Sequence, residues 1–326
     1  MYSEPKALLS ITSAHLLSGL FASLYVGSIY AFKDARLRFS KRKVNLPEGQ
    51  ARLKFQNERW RDDPDVIKAR LLAVTSATLI CCLIVFIVMK NSNRDNEIVC
   101  YQVASMGNHN LTTNAWLHLG FTWSHVLPLL ITPLLFSGPL YVQFLEKTLP
   151  FQKDWNFEDH VLFRFFSIVG LRNYFVAPIT EEFVFRACVL TVYHLAGASR
   201  MKMIFLSPLV FGAAHIHHAF ETYHRYGRSA TAAKRAIIST IIQFAYTSIF
   251  GFYCSYLFLR SGSLLPPITA HMFCNVMGIP QPNHEISLMP NRKLSISAAY
   301  LFGIIGFVGM LKPWSCTHGS LYWQQT

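Results

Sequence analysis

Charge is what this 326-residue chain has least of: Asp, Glu, Lys and Arg make up 14% of it, against 52% hydrophobic residues and a mean hydropathy of +0.29. So few ionic side chains cannot cover the surface of a water-soluble globule, and a bilayer has to serve as solvent for much of the sequence. Cysteine is present but unpatterned. The seven, at positions 81, 82, 100, 188, 254, 274 and 316, include no C-x-x-C and fall mostly in apolar runs, which argues against a disulfide framework and a zinc ribbon. There is no H-E-x-x-H, no internal repeat and no low-complexity segment.

What the chain has instead is long stretches without Asp, Glu, Lys or Arg: Ala7–Phe32, Leu71–Met89, Ile98–Leu145, Met203–Phe220, Ala236–Leu259, Ser261–His284 and Leu294–Leu311. A spanning helix needs about 18 such residues, so each stretch predicts a span, and the third leaves room for a loop. Pro128, Pro133 and Pro139 predict that its helix is kinked or begins near Val126. An eighth stretch, Leu171–Leu195, is interrupted by Glu181, Glu182 and Arg186. The fold class is therefore all-α, a polytopic membrane bundle of about eight transmembrane helices enclosing a polar cavity. The expected organisation is membrane-anchoring helices over 1–160, a catalytic membrane core over 161–312 and a short tail over 313–326.

A net charge of +13 could suggest nucleic acid, but the surplus sits in loops between apolar runs, which fits orientation and attraction to membrane lipid instead. From Lys33 to Arg70 there are twelve Lys or Arg against six Asp or Glu, and the positive-inside rule makes this loop cytoplasmic. The N-terminus is then lumenal, and the first run reads as an uncleaved signal anchor. The next loop is lumenal too, and it holds the only Asn-x-Ser/Thr triplet, at Asn110, as a glycosylation candidate.

Ionisable groups at membrane depth cost about 3 kcal/mol each even on insertion scales, so Glu181, Glu182 and Arg186 require an explanation. Four residues apart on an α-helix, Glu182 and Arg186 share a face and can pair, which leaves Glu181 rotated by about 100° as a spare carboxylate suited to a general base. Two further pairs recur at the same spacing, Phe211 with His215 and His271 with Asn275. A base, a water-positioning imidazole and two neutral donors for an oxyanion are the parts hydrolysis needs. Taken singly, each is as easily a helix clasp or a structural salt bridge.

Together, Glu181-Glu182-x-x-x-Arg186, Phe211-x-x-x-His215 and His271-x-x-x-Asn275 resemble the three signatures of the CAAX protease and bacteriocin-processing family. Arg172-Asn173, Ala177-Pro178, Phe185 to Cys188 and Phe211 to His218 resemble its eukaryotic branch. The resemblance covers about Leu171 to Pro280. It implies an endoplasmic reticulum membrane enzyme, its active site open to the cytosol, that removes the last three residues of prenylated Cys-a-a-X proteins such as small GTPases. Carried over by motif, Glu181 and His215 activate water, His271 and Asn275 hold the oxyanion, and Glu182, Arg186 and Phe211 support them. No metal or other cofactor is expected. A zinc peptidase using His215, His217, His218 and Glu181 is the rival enzyme, although these residues lack zinc spacing. A transporter, a scaffold or a bacteriocin-immunity-like protein without proteolysis is the rival outside catalysis.

Overall fold

The computed structural model describes residues 7–44, 47, 50–92, 126–316, 320, 322 and 323; Asn110 and the rest of its loop lie outside them. Among the described residues regular structure is helical, apart from one antiparallel bridge between Arg38 and Arg59. Among the described residues five helices are long and apolar enough to cross a membrane, or six if one bent pair makes a single span. The protein is a polytopic helical membrane protein. The expected count of about eight is approximate and consistent with this bundle, and two of the expected spans are irregular in it. Leu171–Leu195 is broken into short α and π pieces, and Ser261–His284 yields only the thirteen-residue helix Leu265–Met277. At 1.5 Å per residue that helix reaches about 20 Å, short of a hydrocarbon core about 30 Å thick.

The chain forms two compact units. The first combines the described residues up to Ser92 with Phe183–Tyr256. Its helix Ile11–Ala31, capped by Ser10 through the Ser13 N–H, packs against Pro64–Ser92, Val189–Leu195 and Ser207–Ala214. Phe21, Ile67, Leu190 and Phe211 are buried there, while Leu72, Leu79, Leu83 and Phe86 stay exposed along Pro64–Ser92. Exposed aliphatic side chains along a helix this long suit lipid, where packing and polar contacts, not the hydrophobic effect, hold helices together. One such contact joins His15 Nδ1 to the Tyr193 hydroxyl at 2.8 Å.

The basic loop of this unit is folded. Arg52 donates two hydrogen bonds to Glu58, at 2.6 and 2.7 Å, and a third from Nε to the His224 carbonyl at 2.8 Å. The Arg52 N–H reaches the Arg225 carbonyl, and Phe39 stacks on His224 with ring centroids 4.7 Å apart. Burial alone would raise the Glu58 carboxyl. The Arg52 guanidinium, the Ser40 and Phe55 N–H groups and the Trp60 indole together outweigh burial and hold it at about 2.

The second unit combines Val126–Glu182 with the residues from Leu257 onward. Val126–Leu135 and Ser137–Leu145 meet at 68°, as the prolines predict. Lys293–Ser315 packs along both, and Gly303 makes this possible: a Cβ there would stand 2.9 Å from the Leu134 and Leu135 carbonyl oxygens. Leu265–Met277 starts on Pro266 and Pro267, whose missing N–H groups fit a first turn, and stops at Gly278, whose φ of +72° suits a residue without Cβ.

Candidate active site

The second unit brings three of the motif side chains together. His271 Nδ1 lies 2.8 Å from Glu182 Oε1, and its Nε2 lies 3.7 Å from Glu181 Oε2. The imidazole is thus held between two carboxylates supplied by Ala177–Glu182, a helix that packs against Leu265–Met277. Glu182 is fully buried, whereas the Glu181 side chain is 16% exposed. A carboxylate bonded to Nδ1 places a proton on that atom and fixes the ring orientation. At 3.7 Å the Glu181 contact is too long for a hydrogen bond and acts as charge beside the ring.

Asn275, one turn beyond His271, donates its amide to the Asn173 carbonyl at 2.9 Å. That backbone oxygen belongs to the π-wound segment Leu171–Val176. The segment preceding it turns back sharply at Ser167, whose hydroxyl accepts from the Gly170 N–H. A Cβ on Gly170 would fall 2.0 Å from the Arg164 carbonyl oxygen, so the turn requires glycine. Arg164 itself donates to the Val276 carbonyl at the end of Leu265–Met277 and lies 5.9 Å from the Tyr174 ring centroid.

The first unit holds the other motif residues. Arg186 is 1% exposed, with its guanidinium 4.6 Å from the Phe211 ring centroid. Phe211 packs edge-on against Phe185 and His215. His215 Nδ1 lies 2.9 Å from the Phe211 carbonyl, and since a carbonyl only accepts, the proton is on Nδ1 and Nε2 of the neutral ring offers a lone pair. His217 is fixed in the same way by the Ala214 carbonyl. Among the described residues no three His, Cys, Asp or Glu side chains gather as a metal site.

One expectation changes: Glu181 does not face elsewhere as a spare group, because it shares His271 with Glu182. Phe183–Cys188, which follows, is π-wound, with i→i+5 hydrogen bonding. Glu182 bonds His271, and Arg186 lies over Phe211.

The family model described as Type II CAAX prenyl endopeptidase Rce1-like matches residues 163–277, which contain every one of these groups. The chain is 33% identical to "Probable CAAX prenyl protease 2" of Schizosaccharomyces pombe over 82% of its own length and 81% of that protein's. It is 32% identical to the human CAAX prenyl protease 2 over 90% and 78%, and 37% identical to the Arabidopsis thaliana protein of that name over 58% and 62%. The chain belongs to the type II CAAX prenyl endopeptidase family. No solved structure matches it.

In this CAAX prenyl endopeptidase family member, Asn173 and Arg164 hydrogen-bond the helix that carries His271 and Asn275, and spacing did not reveal either contact. Asn173 acts through its carbonyl, which has no side-chain signature. Arg164 did leave a signal, a lone cation inside Leu162-Phe163-Arg164-Phe165-Phe166.

Proposed function

We propose that the protein is an intramembrane endopeptidase that removes the aaX tripeptide from prenylated Cys-a-a-X proteins, small GTPases among them, using water activated by Glu181. The observation that carries this reading is His271 held between Glu182 at 2.8 Å and Glu181 at 3.7 Å. Glu181, the more exposed carboxylate, takes a proton from water as its oxygen attacks the carbonyl carbon of the prenylated cysteine. The resemblance assigns His215 to the same step, and a neutral ring with its lone pair on Nε2 is the form that step requires.

The tetrahedral oxyanion is held by His271, in the state where both ring nitrogens carry protons, and by the second N–H of Asn275, whose first goes to Asn173. Collapse breaks the C–N bond, and the proton on Glu181 passes to the departing amine. Glu182 positions the ring. The reading uses no metal ion, so activity should survive dialysis against a chelator. It places the enzyme in the endoplasmic reticulum membrane with the site open to the cytosol, where prenylated tails are presented.

The experiment is a purified-protein assay with a farnesylated Cys-a-a-X peptide, the products identified by mass. Release of an intact tripeptide is expected. An unchanged peptide, or cleavage at another bond, contradicts the reading.

A further inference from the structure

An enzyme that releases three terminal residues can locate the scissile bond from the chain end, and the mark available at that end is a carboxylate. We propose that Arg164 binds the C-terminal carboxylate of the substrate and that its separation from His271 sets the length of the released piece. This rests on the peptidase reading above.

Arg164 is half-buried, and its sequence neighbours Leu162, Phe163 and Phe166 are exposed. Among the described residues its guanidinium makes one hydrogen bond, to the Val276 carbonyl, and pairs with no carboxylate. A cation in such surroundings calls for an anion, and capping a helix C-terminus supplies only partial charge. The planar fork of arginine has five N–H donors and matches a carboxylate with two of them.

The spacing fits three residues. Val276 follows His271 by five positions on one helix, which moves its carbonyl about 7.5 Å along the axis, and a hydrogen bond of about 2.9 Å carries the guanidinium further. The total, about 10 Å, is what three extended residues cover at 3.3–3.6 Å each. Gly170 and the Ser167 turn hold the backbone of Arg164 in place.

The test compares a farnesylated Cys-a-a-X peptide ending in a free carboxylate with the same peptide ending in a carboxamide. Wild-type protein should cleave the amide with kcat/KM about 10²-fold lower, the loss sitting mainly in KM. In Arg164→Ala the two substrates should converge, and Arg164→Lys, which keeps the charge without the fork, should retain a weakened preference. Equal cleavage of acid and amide by the wild type overturns the assignment while leaving the peptidase reading intact, and needs no variant to fold. A variant that slows both substrates alike and preserves the preference also overturns it, since that is what a purely structural arginine would do. Cleavage of neither peptide by the wild type removes the peptidase reading and this inference with it.

Discussion

At the scale of the residue, the chemistry turns on which atoms are already committed. His271 Nδ1 is tied to Glu182 and its Nε2 faces Glu181, so the ring can neither rotate nor drift without breaking a buried contact. Asn275 spends one N–H on Asn173, and its second N–H is the donor proposed for the oxyanion. If it serves there, Asn275→Ala should lower kcat by about 10²–10³ with little change in KM. If it only clasps two segments, the loss is a membrane hydrogen bond averaging about 0.6 kcal/mol, seen as a lower melting temperature with the rate per folded molecule preserved. Melting temperature and single-turnover rate, measured on the same preparation, separate these outcomes. The motif residues were legible in the sequence because polar groups stand out in apolar runs. Their partners were less so: Glu182 finds His271 across 89 positions, and no local spacing encodes that meeting.

At the scale of the element, hydropathy shows where a helix runs but not how it is wound. Ile11–Ala31 and Pro64–Ser92 follow the charge-free stretches within a few residues at most ends. The π windings at Leu171–Val176 and Phe183–Cys188 left no mark in composition. The basic loop was legible as charge and not as structure, because its fold comes from one buried pair, Arg52 with Glu58, the two side chains 3% and 2% exposed. Glu58 titrates at about 2, below the usual 4.5. A depressed carboxyl stabilises the fold at pH above its unfolded value, and that contribution is lost as pH falls from about 4.5 toward 2. The melting temperature of wild type should therefore exceed that of Glu58→Gln at pH 7, and the gap should close across that interval. A gap independent of pH would contradict the assignment.

At the scale of the whole molecule, exposed aliphatic residues along Pro64–Ser92 and Lys293–Ser315 match the shortage of charge that the sequence shows, since lipid covers what water could not. The positive-inside rule predicts that the loop between Ile11–Ala31 and Pro64–Ser92 lies on the cytosolic side. Lys41 is exposed in that loop, so Lys41→Cys should react with a membrane-impermeant maleimide in sealed, cytosolic-face-out microsomes; labelling only after permeabilisation would invert the topology. Membership of the family was legible because three motifs fall in order within one region, whereas the substrate came from resemblance and not from any physical property of the residues. The central claim is that a carboxylate in the membrane activates the water that cuts the tail, and the most direct measurement is single-turnover cleavage of a farnesylated Cys-a-a-X peptide by Glu181→Gln. Glutamine keeps the shape and removes the proton acceptor. With melting temperature near wild type, the rate should fall at least ~100-fold. A folded Glu181→Gln protein that cleaves at close to the wild-type rate would contradict the account.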